Sequence, residues 1–288
     1  MTLSPPRGTH QFLLRSLIPA VIFLVAELFP VVIRGNELSA RRVITAFLGG
    51  WLLALIICAI AKHLSWPAAE RVFALWFLMF IARGVNILLE WYFFSTETLP
   101  TILRAGVATT VISLALAVVV ALLFPPARPE GSLGSSVRSL LGRRRWFSWA
   151  WRVPAGIVTY VFVYFFFGAI AFQFTKPYYT DPAYGLNLTL PSAELVFKLQ
   201  FVRGFTYLLA GFLVLSGLRL GKLRQAWLLG MALFILGGLS PLVAAEQLPV
   251  ALRVYHTVEI FFQNFTAGVV LAYLLGVSAE RMASPEAH

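Results

Sequence analysis

Four polar side chains that could do chemistry occur together in the apolar run from His256 to Phe265 of this 288-residue sequence. His256, Glu259 and Gln263 stand at positions i, i+3 and i+7, so they share one face of a helix. Asn264 lies at the edge of that face. A histidine beside a carboxylate can exchange protons or help to bind an ion. This face therefore predicts either a binding site or a set of contacts between helices.

Two earlier apolar runs contain polar faces of the same kind. Arg83, Asn86 and Glu90 repeat the i, i+3, i+7 spacing. Gln200, Arg203 and Tyr207 stand at i, i+3 and i+7 on the next face along the chain, with Thr206 beside them. Two of the three faces carry an arginine and two carry a glutamate, so opposite charges can pair between helices. We predict that the three faces meet in one cluster of candidate ligand-binding residues.

The composition places these faces inside a membrane. Hydrophobic residues make up 59% of the sequence and charged residues 12%, whereas soluble domains carry about 25% charged residues. The run 105–126 contains no charged residue. A helix of about 20 such residues spans the roughly 30 Å hydrocarbon core of a bilayer. The chain is therefore predicted to cross a membrane several times.

Charged side chains in a membrane interior need partners. An ionisable group at the bilayer centre costs roughly 2.5 to 3.5 kcal/mol on insertion scales, and it usually faces the bundle interior. Pairs such as Arg203 with Glu90, or Arg83 with Glu259, would remove this cost.

The apolar runs predict an all-α fold, a single membrane domain with about eight spanning helices. The predicted spans are 16–33, 43–61, 72–94, 102–124, 152–173, 195–217, 226–244 and 254–277. An even number of spans places both termini on one side, where fourteen Lys and Arg residues fall against six on the other. The positive-inside rule then predicts that both termini are cytoplasmic. The first span is predicted to be retained, because it is longer than a signal-peptide core and contains Glu27 and Pro30.

Two loops are long enough to contact partners. The cytoplasmic loop 125–151 ends in arginines 143–145 among tryptophans, a pattern typical of lipid headgroup contact. The outer loop 174–194 is rich in tyrosine and proline. We expect membrane lipids as partners, with 174–194 or 138–151 as the surface for any protein partner.

The net charge of +11 is explained by the excess of Lys and Arg on the cytoplasmic side of the membrane. We therefore expect no nucleic-acid partner. The 19 arginines against 4 lysines favour a GC-rich bacterium, and hence the bacterial plasma membrane.

No cofactor or metal ion is predicted. His256 and Glu259 are spaced to reach one ion, but metal sites in helix bundles combine several such ligands, and only Glu90 could join them within the membrane. The single cysteine, Cys58, excludes an intrachain disulfide. The sequence also lacks motifs of nucleophilic catalysis and of phosphate-binding glycine loops.

One internal similarity raises the question of a repeat. Residues 77–89 align with 197–209 at a constant offset of 120, which places Arg83 on Arg203. The two predicted helices cross in opposite directions, so a true repeat would be inverted, as in many transporters. The neighbouring helices show no comparable identity, and the sequence leaves this question open.

Three functions are compatible with the polar faces. The leading hypothesis is a non-enzymatic protein whose polar cavity binds a small solute, an ion or a lipid headgroup, as a transporter or a ligand sensor. The alternative is a structural or interaction subunit of a membrane complex, in which the faces only hold helices together. The third is an intramembrane enzyme with Glu259 and His256 as acid and base. If the charged residues converge around a cavity, the binding protein is favoured. If they pair off in a dry interior, the structural subunit is favoured.

Overall fold

The computed structural model describes residues 8–33, 35, 37–126 and 129–277. These residues form nine helices and no β-strand, which confirms the all-α prediction. The helices are α1 (Thr9–Ile33), α2 (Ala40–His63), α3 (Ala68–Phe94), α4 (Leu99–Leu123), α5 (Leu133–Gly142), α6 (Trp146–Thr180), α7 (Ala193–Gly217), α8 (Lys222–Ala244) and α9 (Val250–Leu275). All except α5 are long and apolar enough to cross a membrane, and within the described ranges they number eight.

Helix α6 differs most from its predicted span of 152–173. It begins at Trp146 and continues to Thr180, so it takes in parts of both long loops. Pro177 does not end the helix, because its fixed φ is compatible with the α conformation. The chain leaves the helix at Asp181, whose carboxylate accepts a hydrogen bond from the Ala183 N–H at 2.9 Å. The outer loop is therefore shorter than predicted.

The basic loop contains the short helix α5. Ser132 and Ser135 begin it with a capping box, in which each side chain bonds to the backbone of the other residue. The indole N–H of Trp66 donates to Ser136 Oγ at 2.9 Å and holds the helix against the bundle. The loop therefore has a defined structure at the end of the bundle where α2 and α7 finish. We call this end the basic end.

Helices α1–α4 and α6–α9 pack as two similar halves. A methyl group at Gly50 of α2 would come within 3.3 Å of the Ala20 carbonyl oxygen of α1. A methyl group at Gly204 of α7 would come within 3.2 Å of the Ile157 carbonyl oxygen of α6. Each half therefore brings its first two helices together at a glycine, where backbones can approach closely.

The same correspondence recurs at the basic end of each half. Arg15 of α1 donates to the Leu123 carbonyl oxygen at the end of α4, at 2.9 Å. Arg152 of α6 donates to the Leu274 carbonyl oxygen at the end of α9, at 2.7 Å. In both halves an arginine near the start of the first helix thus satisfies a terminal carbonyl of the fourth helix.

The contacts between the halves show that α2 of the first half corresponds to α7 of the second half, and that α3 corresponds to α8. Helix α3 packs against α7, α8 packs against α2, and α3 and α8 contact each other. Leu64 follows α2, Leu218 follows α7, and these two residues form an isolated antiparallel bridge. Both halves begin at the basic end, so they have the same orientation. The alignment of 77–89 with 197–209 equates α3 with α7 instead, and it does not describe this repeat.

Candidate functional site

Arg203 of α7 is buried between the two halves. Its side chain is 3% exposed, and its Nη1 lies 2.5 Å from Glu90 Oε1 of α3. Nη1 also donates to Gln200 Oε1 at 3.2 Å. The pairing of Arg203 with Glu90 that the sequence suggested is therefore confirmed. It forms because α3 and α7 are direct neighbours at this depth.

Three tyrosines surround this arginine. Its guanidinium carbon lies 5.8 Å from the ring centroid of Tyr160 and 5.9 Å from that of Tyr164, both on α6. The ring of Tyr207 packs against that of Tyr160 with centroids 5.2 Å apart. Cations are attracted to aromatic faces at such distances. The sequence analysis missed Tyr160 and Tyr164, whose only signal was their i, i+4 spacing in an uncharged span.

His256, Glu259 and Gln263 of α9 form one hydrogen-bonded chain with α6. His256 Nδ1 lies 2.8 Å from Glu259 Oε2, and its Nε2 lies 3.1 Å from the Tyr179 hydroxyl. Gln263 Nε2 donates to Glu259 Oε1 at 2.8 Å and to the Tyr164 carbonyl oxygen at 3.3 Å. The three side chains share one face, as their spacing predicted. We call Tyr179, His256, Glu259 and Gln263 the histidine seam.

Asn264 joins α9 to the surroundings of Arg203. Its Nδ2 donates to the Leu233 carbonyl oxygen of α8 at 3.2 Å, and the Tyr207 hydroxyl lies between Arg203 and Asn264. We use the name arginine cluster for Glu90, Tyr160, Tyr164, Gln200, Arg203, Tyr207 and Asn264. Tyr164 connects this cluster to the histidine seam, because its ring faces Arg203 and its carbonyl bonds to Gln263.

Arg83 lies in a different place from the one predicted. Its Nη2 is 2.8 Å from Glu27 Oε1 of α1, and its Nη1 donates to Ser240 Oγ of α8 at 3.1 Å. Its guanidinium also covers the ring of Phe23 at 4.6 Å. The suggested pair of Arg83 with Glu259 is therefore wrong, and Arg83 does not join the arginine cluster.

A π-helical segment explains why Arg83 and Glu90 separate. Residues Phe80–Val85 of α3 form this segment, and Arg83 lies within it. A π turn inserts extra backbone, so the i, i+7 spacing no longer keeps both side chains on one face. Asn86 follows the segment and is buried between the sites, where its Nδ2 donates to the Thr206 hydroxyl at 3.2 Å.

Two more π segments lie in α8 (Ile235–Leu239) and α9 (Phe261–Phe265), and the segment of α8 contacts those of α3 and α9. A Cβ at Gly237 would come within 2.4 Å of the Tyr207 hydroxyl and 2.9 Å of Asn264 Nδ2. The glycine is therefore needed for α8 to lie against the arginine cluster. Single π turns inside α-helices occur frequently at functional sites.

Four polar atoms of the arginine cluster are buried without a hydrogen-bond partner among the described residues. They are Tyr160 Oη, Gln200 Nε2, Arg203 Nε and Asn264 Oδ1. A buried polar atom left unpaired costs about 1 to 3 kcal/mol, and folded proteins pair nearly all of them. These atoms make the surroundings of Arg203 the candidate site for a polar ligand.

The cluster has no features of a metal site. In the described part of the chain, no three His, Cys, Asp or Glu side chains lie close enough to hold one ion. The hydrogen-bond donors of the arginine cluster are amide, guanidinium and hydroxyl groups. Such donors bind a ligand with several oxygen atoms better than they bind a cation.

No family model, no curated protein and no solved structure matches this chain. The class of the protein therefore follows from its own helices. Their number, length and apolar composition define a multi-pass helical membrane protein. The buried polar residues between its two halves define the candidate site.

Proposed function

We propose that the protein binds a small organic carboxylate at the arginine cluster, as a transporter or sensor of that solute in a bacterial plasma membrane. The supporting observation is the set of four unpaired polar atoms around Arg203. Arg203 Nε and Gln200 Nε2 are donors, and the Tyr160 hydroxyl can donate. A carboxylate offers four lone-pair sites to such donors.

The solute would replace Glu90 at Arg203. Glu90 lies near the end of α3 with its side chain 30% exposed, whereas that of Arg203 is 3% exposed, so the glutamate would move outward while the arginine stays. A solute carboxylate in its position would keep the arginine neutralised, which a buried guanidinium requires. It would also reach Arg203 Nε and Gln200 Nε2, which Glu90 does not satisfy.

The histidine seam would balance the charge of the bound anion. Tyr179, His256, Glu259 and Gln263 form a hydrogen-bonded chain that reaches the Tyr164 carbonyl oxygen beside the arginine cluster. A histidine next to a carboxylate can take up a proton. Binding of an anion at Arg203 would then be coupled to uptake of a proton at the seam.

A ligand-dependent thermal shift tests the proposal. The purified full-length protein would be unfolded in detergent with acetate, lactate or succinate, and with glycerol as an uncharged control. A ligand that binds only the folded state raises the melting temperature, by about 2–4 °C per kcal/mol for a protein of this size class. We expect stabilisation by at least one carboxylate and none by glycerol.

The chain offers a matched pair of variants. Glu90→Gln with Arg203→Gln removes the ion pair of the candidate site, and Glu27→Gln with Arg83→Gln removes the ion pair between α1 and α3. We expect the carboxylate effect to disappear in the first double variant and to persist in the second. Equal shifts in both, or no shift with any carboxylate, would favour the structural subunit, in which both pairs only hold helices together.

A further inference from the structure

Asn264 differs from the other unpaired groups of the arginine cluster in the kind of partner that it needs. Tyr160 Oη, Gln200 Nε2 and Arg203 Nε can each donate a hydrogen bond, whereas Asn264 Oδ1 can only accept one. Asn264 is 1% exposed, so bulk water does not reach this oxygen. A carboxylate consists of acceptors alone, and it would satisfy the three donors while leaving Asn264 Oδ1 unpaired.

The amide of Asn264 is held in one orientation. Its Nδ2 donates to the Leu233 carbonyl oxygen of α8 at 3.2 Å. Rotation of the amide by half a turn would place its oxygen against that carbonyl oxygen, and two acceptors cannot bond to each other. The unpaired group is therefore an acceptor as long as the bond to Leu233 is kept.

This acceptor lies close to the guanidinium of the cluster. The Tyr207 hydroxyl lies between Arg203 and Asn264. A Cβ at Gly237 would clash with both this hydroxyl and Asn264 Nδ2, so the two groups approach the same point of α8. A solute whose carboxylate binds Arg203 would therefore reach Asn264 with a donor carried only a short way from that carboxylate.

We propose that the solute of the arginine cluster is a hydroxycarboxylate, whose hydroxyl group donates to Asn264 Oδ1. This inference rests on the proposed function and makes Asn264 the residue that determines specificity. A hydroxyl group pairs the neutral acceptor without adding charge. An ammonium group would also donate, but it would bring a second positive charge beside the buried guanidinium of Arg203.

Acids of similar size test the proposal by titration calorimetry on the full-length protein in detergent. Lactate carries a hydroxyl group on the carbon next to its carboxylate, alanine carries an ammonium group there, and propionate carries only hydrogen. In 3-hydroxypropionate the hydroxyl group lies one carbon further along. Pairing of the buried acceptor should make the better of the two hydroxy acids bind about tenfold more tightly than propionate, and more tightly than alanine. Propionate or alanine binding as tightly as both hydroxy acids would overturn the proposal.

Asn264→Leu tests the role of the amide, because leucine has a similar branched shape without hydrogen-bonding groups. We expect the tenfold preference for the hydroxy acid to disappear while propionate binds as it does to the wild type. Ser113→Ala is the control, since Ser113 is a buried polar residue of α4 that lies beside Arg83 and outside the arginine cluster. This control should keep the preference. A preference that survives in Asn264→Leu would show that Asn264 does not contact the solute, and it would overturn the proposal.

Failure of this inference can be distinguished from failure of the proposed function. If no carboxylate binds to the wild type, the proposed function falls, and this inference falls with it. If propionate binds as tightly as the hydroxy acids, the carboxylate site stands and only the role of the hydroxyl group is overturned. The wild-type affinities alone decide between these results, so the test holds even if Asn264→Leu does not fold.

Discussion

Arg83 and Arg203 both lie inside the bundle, yet their surroundings differ in what they leave unsatisfied. Arg83 has Glu27 and Ser240 as partners and the ring of Phe23 below it. Arg203 has Glu90 and Gln200, but its Nε has no partner in the described chain. The first arrangement fulfils the requirements of a structural ion pair. The second leaves donors unpaired, which supports the proposed binding site.

The ion pair of Glu90 and Arg203 should respond unequally to the loss of each partner. Arg203→Gln leaves a carboxylate that is 30% exposed near the end of α3, where it can reach the headgroup layer, whereas Glu90→Gln leaves a guanidinium that is 3% exposed. An uncompensated buried charge costs about 3–5 kcal/mol. We therefore expect Glu90→Gln to lower the free energy of unfolding by about 3 kcal/mol or more, and Arg203→Gln to lower it less.

Chemical unfolding in detergent would measure both variants, with the exposed Glu97→Gln as the control that should match the wild type. A larger loss for Arg203→Gln would contradict the prediction. That result would mean that Glu90 is less accessible to water than its exposure indicates.

The sequence predicted Arg203 and Glu90 because charge sign and depth are visible in a single chain. It did not predict Tyr160 and Tyr164, because an uncharged aromatic residue in an apolar span is equally compatible with lipid contact. It placed Arg83 in the cluster because the i, i+7 spacing assumes an uninterrupted α-helix. The π segment that breaks this spacing depends on packing between helices, and the residues Phe80–Val85 give no local signal for it.

At the level of helices, the contact between the π segments of α3, α8 and α9 is the feature that shapes the site. Each segment turns the side chains after it away from the face that an α-helix would give them. Residues 263 and 264 lie in the segment of α9, and both are buried. Gly237 lies in the segment of α8, and its missing side chain lets the Tyr207 hydroxyl and Asn264 approach the backbone closely.

Gly237→Ala tests the contact between α8 and the arginine cluster, because this substitution should lower the stability of the protein and not raise it. Alanine is normally better than glycine in a helix by about 1 kcal/mol. At Gly237 the new methyl group would lie 2.4 Å from the Tyr207 hydroxyl and 2.9 Å from Asn264 Nδ2. Overpacking of this kind costs typically about 1–3 kcal/mol, so we expect a lower melting temperature.

Gly134→Ala is the matched control, since Gly134 lies in α5 with nothing within 4 Å of an added Cβ. We expect that substitution to leave the melting temperature unchanged or to raise it slightly. A Gly237→Ala protein as stable as the wild type would show that the junction can shift to accept a methyl group. The close approach of α8 to the cluster would then not be required for folding.

For the whole molecule, hydropathy was sufficient to predict eight spanning helices, but it could not predict the two similar halves. The halves are recognised from contacts such as Arg15 with Leu123 and Arg152 with Leu274, which join residues more than 100 positions apart. Unrelated side chains fill equivalent places, as Phe23 and Tyr160 do against Gly50 and Gly204. The ion pair of Arg83 and Glu27 thus belongs to the first half, and the candidate site lies between the halves.

The orientation of the molecule remains a prediction from charge, and cysteine labelling tests it. Cys58 is the single cysteine of the sequence, and it is fully buried. The wild type should therefore resist a membrane-impermeant maleimide in intact spheroplasts. Ala183→Cys lies in the exposed loop between α6 and α7, and Ala150→Cys lies on the exposed surface near the start of α6.

The two introduced cysteines lie at opposite ends of the bundle, because α6 spans the distance between them. If both termini are cytoplasmic, Ala183→Cys reacts in intact spheroplasts and Ala150→Cys reacts only after lysis. The reverse pattern would place the basic end outside. In that case the prediction of cytoplasmic termini would be wrong.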